Sequence, residues 1–292
     1  MLKLFQSRRP TNSQRSKVIF LHVPKTGGTT FSRVLQRLYR DSYTFFDDDA
    51  VDVFVRNLEA YACTEVHATL RADRLVWGTK NIMKEPNWRL LSGAEVFVMF
   101  RDPVEHYISS FYQARKFGKT LESTAAWKRF FPDTLDEYLE NPRFSNLQLK
   151  FLLGIAPEDH SGLTDADLQH AKRLISTLGI NVGILERYSE SLHLFEYVTG
   201  SKIPLRIVVV RNKNRTPHAQ RRVDDATRQR IRDLNALDQE LYDFAEKLFD
   251  EQIAGCGPSP RYRYLSEESL VGRLASRFGK CKFTNREDIS PS

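Results

Sequence analysis

Apolar positions along the chain follow two rhythms. Short, nearly unbroken apolar runs occur at Lys17-Val-Ile-Phe-Leu-His-Val23, Glu95-Val-Phe-Val-Met-Phe100 and Ile207-Val-Val-Val210. Their β-branched and aromatic content reads as buried strands. After the first two runs the rhythm changes to the i, i+3, i+4, i+7, i+8 spacing of an amphipathic helix. Phe31, Val34, Leu35, Leu38 and Tyr39 carry it first, then Val104, Tyr107, Ile108, Phe111 and Tyr112. Pro103 suits the first helical position, with Asp102 as N-cap. Helical patterns also cover about 164–179, opened by the capping box Thr164-x-x-Asp167, and about 186–199, 225–250 and 266–278. Short apolar strands separated by long helices predict an α/β fold whose parallel sheet is buried by helices on both faces.

No linker or repeat divides the chain, so residues 17–255 read as one domain. Residues 1–16 read as a flexible basic arm, and 256–292 as a C-terminal helix and tail. Of the 292 residues, 41% are hydrophobic and 28% charged, which fits a folded globular chain and excludes collagen-like and low-complexity classes. Three cysteines without CxxC spacing encode neither a disulfide framework nor a zinc site, and suit a reducing compartment. The N-terminus lacks the apolar core of a secretion signal and no apolar run approaches about 18 residues, which predicts a cytoplasmic chain without a membrane anchor. The net charge is +7, and residues 206–232 alone carry nine basic against two acidic residues. Such an excess suits an anionic ligand without requiring nucleic acid. For Arg221–Arg232 a solvated helix face and a glycan contact are equally good readings.

In parallel sheets ligands bind beyond the carboxyl ends of strands, and the loops after Val23, Phe100 and Val210 are all basic. The first is Pro24-Lys25-Thr26-Gly27-Gly28-Thr29-Thr30. Paired glycines allow close backbone approach, and a helix N-terminus follows, so the loop reads as an anion cradle or an ordinary turn. It is not the Walker A pattern, because the lysine precedes the glycines.

The order of residues narrows this. Phe20-Leu-His-Val-Pro-Lys-Thr-Gly-Gly-Thr-Thr-Phe31 resembles the 5′-phosphosulfate loop of carbohydrate sulfotransferases that use 3′-phosphoadenosine 5′-phosphosulfate (PAPS), in the heparan sulfate 2-O/6-O branch. Arg101-Asp-Pro-Val-Glu-His-Tyr-Ile-Ser109 resembles the same family's 3′-phosphate segment, with His106 where relatives often carry arginine. The likeness continues through Phe144–Lys150, Val182–Leu192, Asn214–Pro217 and Leu234–Tyr242. It implies a P-loop-like fold and a glycan acceptor, possibly acidic. Lys25, Thr26, Gly27, Gly28, Thr29, Thr30, Arg101 and Ser109 would hold PAPS, and no metal would be needed. Arg211, at the end of the third strand, would close over the nucleotide.

A hydroxyl acceptor needs a base, and histidine is the usual choice near neutral pH. Of seven histidines, His67 matches the position where these enzymes resemble one another in having a catalytic histidine; Glu65 and His106 are the alternatives, and His22 reads as packed in its strand. Lys25 would neutralise charge on the transferring group. Two other readings stay open: a P-loop-type kinase, and a nucleotide-binding module without turnover. Trp77, Trp88 and Trp127 read as core or as sugar-stacking platforms.

Overall fold

The computed structural model describes residues 17–48, 50–71, 74–84, 86–120, 132–156, 162–210 and 223–266. Five parallel strands form the central sheet: β1 (Lys17–Leu21), β2 (Tyr43–Phe46), β3 (Cys63–Val66), β6 (Ala94–Phe100) and β7 (Asn181–Ile184), in the order β2-β3-β1-β6-β7. Between β3 and β6 lies an antiparallel hairpin, β4 (Ala68–Arg71) with β5 (Arg74–Trp77).

Helices flank the sheet. On one face Phe20 of β1 and Phe97 of β6 are register partners. Their rings meet Phe31 of α1 (Gly28–Tyr39), with centroids 4.7 and 5.2 Å away. Phe195 of α8 (Tyr188–Thr199) closes that cluster edge-on, 5.0 Å from Phe31. On the opposite face Phe46 packs against Phe54 of α2 (Val51–Ala60) at 5.1 Å. These rings are all essentially solvent-free, which is where burying aromatic area contributes most.

The predicted helix after Pro103 is α4 (Pro103–Thr120). Val104, Tyr107, Ile108 and Phe111 form a second cluster with Tyr138 and Leu139 of α5 (Leu135–Glu140) and Ile231 of α9 (Asp225–Leu234). The remaining helices are α3 (Thr79–Ile82), α6 (Leu147–Leu153), α7 (Asp165–Leu178) and α10 (Ala236–Ala254). The Thr164 capping box forms as expected, with the Thr164 amide donating to Asp167 at 2.8 Å.

Three departures from the sequence pattern stand out. β2, β3 and β7 carry too little apolar periodicity to read as strands; β3 buries the polar Thr64 and Glu65 at 1% and 0% exposure. The strand Ile207–Val210 (β8) leaves the main sheet and pairs in parallel with β9 (Arg263–Ser266). The long 225–250 pattern breaks at Asn235, whose side chain accepts from the Asn146 amide at 2.8 Å while Asn146 accepts from the Asp238 amide at 2.9 Å. This exchange outweighs one more turn of helix, because it satisfies buried polar groups at both helix ends. No helix among the described residues is long and apolar enough to cross a membrane.

Candidate active site

The loop between β1 and α1 turns on two left-handed residues, Lys25 at φ 72° and Gly27 at φ 83°. Gly27 takes that conformation freely, but a lysine there is strained by about 1 kcal/mol or more and persists only where neighbours hold it. They do. The Lys25 carbonyl accepts from Arg101 Nη1 at 3.2 Å, and the Pro24 carbonyl is 2.9 Å from His106 Nε2. Thr26, fully buried, donates its hydroxyl to the Val23 carbonyl at 2.8 Å and so staples the loop from inside. α1 then begins at Gly28 with no side-chain cap and no acidic residue in its first turn. Its leading N–H groups and positive dipole end thus face the loop, an anion-attracting geometry. Thr29 is exposed and Thr30 half-buried at that end.

Arg101 follows β6, half-buried, beside the cradle. Gln148 of α6 clamps its backbone, accepting from the Arg101 amide at 3.0 Å and donating to its carbonyl at 2.9 Å. Asp238, buried on α10, accepts from the Gln148 and Leu149 amides and caps α6. Burial pushes the Asp238 carboxyl up to about 6. Glu186 accepts from the Asp102 amide at 3.2 Å and from the Tyr242 hydroxyl. Glu105 lies between Arg101, 3.9 Å away, and Arg228, which it pairs closely. Ser109 is 5% exposed and its buried hydroxyl has no hydrogen-bond partner among the described residues. An orphaned buried hydroxyl eight residues from Arg101 fits a phosphate-contacting role.

α4 is buried further round than its sequence face predicts: His106, Ser109 and Ser110 are 3%, 5% and 8% exposed. Burial, with the charges of Arg101 and Lys25, pushes the His106 imidazole down to about 3, against the pull of its bond to Pro24. A neutral His106 donating to the Pro24 carbonyl ties α4 to the cradle, a role that arginine's place in the motif did not suggest.

The third component lies at the ends of β1 and β3, on the sheet face that α1 covers. Glu65 is fully buried; its Oε1 accepts from His22 Nδ1 at 2.6 Å and Ser32 Oγ at 2.7 Å, and its Oε2 from the Tyr43 hydroxyl. Burial raises this carboxyl, but the His22 charge and hydrogen bond, with His67 and Tyr43, outweigh it and hold Glu65 below the usual carboxylate range. The His22 ring packs edge-on against the half-buried His67, centroids 4.4 Å apart. The backbone of His67 is fixed by its amide donating to Phe46 at 3.0 Å and its carbonyl accepting from Gly78 at 2.9 Å. The ligating atoms of His22, Glu65 and His67 lie within 4.8 Å of one another. The 2.6 Å His22–Glu65 contact is a hydrogen bond, shorter than the about 3.3 Å between two ligands on one tetrahedral ion.

Of the sequence-predicted residues, Arg101 bonds the 25–30 loop directly, and His67 packs against His22, which underlies Gly28 of that loop. His22 fills the packed, hydrogen-bonded place expected of it, and a Cβ on Gly28 would sit 1.9 Å from its Nε2. Gly28→Ala should therefore displace the imidazole and lower stability by about 1–3 kcal/mol. Thermal denaturation checks this, and an unchanged midpoint would contradict the packing. Arg211 lies outside the described residues, as do Trp127 and the Asn214–Pro217 loop. Trp88 packs half-buried against the core. Sequence reasoning missed Gln148, Asp238, Glu186, Ser32 and Tyr43, although the first three fall inside the similar segments noted above.

The family profile described as the sulfotransferase family matches residues 10–245. Heparan-sulfate 6-O-sulfotransferase 2 of Gallus gallus is 24% identical over an alignment of 295 positions, covering 86% of this chain and 69% of the relative. Heparan-sulfate 6-O-sulfotransferase 1-B of Danio rerio is 25% identical over 284 positions, covering 80% and 66% respectively. The profile match over residues 10–245, most of the chain, on a fold with a five-stranded parallel sheet, identifies it as a member of the sulfotransferase family.

Proposed function

We propose that this enzyme moves the sulfuryl group of PAPS to a carbohydrate hydroxyl, with His67 as the base. The observation that carries the reading is the convergence of three strand-end loops: Arg101 bonds the Lys25 carbonyl, and the His22 ring lies between Gly28 and His67. The cradle of residues 25–30 holds the 5′-phosphosulfate, while Arg101 and Ser109 hold the 3′-phosphate. His67 takes the acceptor's hydroxyl proton, the freed oxygen pair attacks sulfur, and the sulfur–oxygen bond to the 5′-phosphate breaks. Lys25 faces the charge that grows on the leaving phosphate oxygens. Glu65 does not compete for the proton, since both its oxygens are committed and it is sealed from solvent. Its negative charge instead offsets the imidazolium that forms on His67.

The sugar acceptor is supported by the two heparan-sulfate relatives and by the positive character of the chain. On α9, however, Arg228 pairs Glu105 and Arg230 lies 3.9 Å from Asp136, so part of the basic run is engaged within the protein.

Arg101→Ala and Ser109→Ala should weaken 3′,5′-adenosine bisphosphate by about 1.5–3 and about 1 kcal/mol respectively. Calorimetry reads both, with ATP as the competing ligand. Equal affinity in wild type and variants, or preference for ATP, would remove the 3′-phosphate assignment.

A further inference from the structure

Two large hydrophobic side chains stand markedly exposed, Phe45 at 41% and Tyr264 at 43%. Tyr264 has a polar partner, since its hydroxyl lies 2.5 Å from Ser189 Oγ. Phe45 has no polar atom to satisfy, yet it stands in water on β2, the edge strand of the central sheet. Its register partner is Glu65, so its side chain shares the sheet face of Tyr43, Glu65 and His67. Its ring centroid is 5.0 Å from that of His67, at an interplanar angle of 38°. An exposed phenylalanine beside a candidate base, at the open edge of a sheet, leaves unburied the area that most rewards burial.

We propose that Phe45 is the floor of the acceptor subsite, where the C–H face of a pyranose ring stacks and presents its hydroxyl to His67. This rests on the reading of His67 as the base. A pyranose matches the surface because it has an apolar C–H face and a polar rim. Stacked on Phe45, it buries the first and leaves the second toward the imidazole. A polar side chain at residue 45 would compete for the rim hydroxyls, whereas a phenyl ring fixes the plane of the sugar without holding any one hydroxyl. The selection of hydroxyl then falls to the groups around His67.

The test compares wild type with Phe45→Ala, Phe45→Leu and Phe45→Trp. Transfer from PAPS is measured to oligosaccharides of desulfated heparan sulfate, of chondroitin and of a neutral glucan, and to p-nitrophenol. Bisphosphate affinity is followed in parallel. Phe45→Ala and Phe45→Leu should raise the KM for the preferred sugar about ten-fold, with the loss confined to that constant, and Phe45→Trp should restore it. Bisphosphate affinity should not move. Because Phe45→Leu keeps the apolar bulk at this position, it carries the comparison if Phe45→Ala fails to fold. Unchanged sugar KM in Phe45→Leu, while His67→Ala is inactive, would remove the platform and leave the base standing. Wild-type transfer to p-nitrophenol but to no sugar would overturn the pyranose assignment together with the carbohydrate reading. Full activity in His67→Ala would show that the base itself is misplaced, and the subsite with it.

Discussion

His67→Ala lowers sulfuryl transfer by about 10²–10⁴ and leaves bisphosphate affinity nearly unchanged, because a general base acts on the acceptor proton and not on the nucleotide. The wild-type rate falls toward acid pH, where the imidazole takes up a proton and loses the lone pair that accepts the acceptor's hydrogen. Glu65→Gln provides the contrast. It keeps the shape of the His22–Ser32–Tyr43 network but removes the buried negative charge, so it slows transfer without moving the proton-accepting role to another group. Turnover and calorimetry on the same preparations check both variants. Near-normal turnover in His67→Ala with complete loss in Glu65→Gln would assign the proton to the carboxylate.

The parts of this arrangement that were legible in sequence are those where one residue type does one thing locally. The cradle shows in Lys25-Thr-Gly-Gly, the helix after it in the 3.6 rhythm of Phe31 to Tyr39, and the second anion loop in Arg101-Asp-Pro. The His22–Glu65 pair was not legible, because the two residues are 43 apart and meet only through the β1–β3 register that aligns Phe20 with Glu65. β3 itself hid behind Thr64 and Glu65, both buried; the Glu65 carboxylate is buried because His22, Ser32 of α1 and Tyr43 of β2 donate to it. Gln148 and Asp238 were visible only as parts of similar segments. Their reason, clamping the Arg101 backbone from two helices away, needs the packing of α6 on α10.

Lys25→Ala lowers turnover by about 10²–10³ and leaves much of the bisphosphate affinity, since the charge it removes faces the transferring group and its leaving oxygens. The backbone at this position is held by Arg101 on the Lys25 carbonyl and by His106 on that of Pro24, so loss of the side chain should leave the cradle in place. Lys25→Gly separates charge from strain. A glycine at φ 72° relieves the left-handed conformation and should be more stable than the alanine variant by about 1 kcal/mol, yet equally slow. Lys25→Arg should recover only part of the rate, because a planar fork does not reproduce a compact ammonium on a flexible stem. Turnover that follows stability across the three variants would make residue 25 a loop determinant and not a source of transition-state charge.

Sulfuryl transfer from PAPS to a sugar hydroxyl through His67 is measured most directly by mass spectrometry of glycan oligosaccharides incubated with PAPS and EDTA, beside wild type and His67→Ala. Wild type should add one sulfuryl group for each bisphosphate released, with chelator making no difference, because Lys25 and the α1 N-terminus supply the positive potential. His67→Ala should bind the nucleotide and leave the acceptor unmodified. Intact PAPS in the presence of every glycan, with phosphate transferred from ATP in a reaction that EDTA stops, would contradict the account.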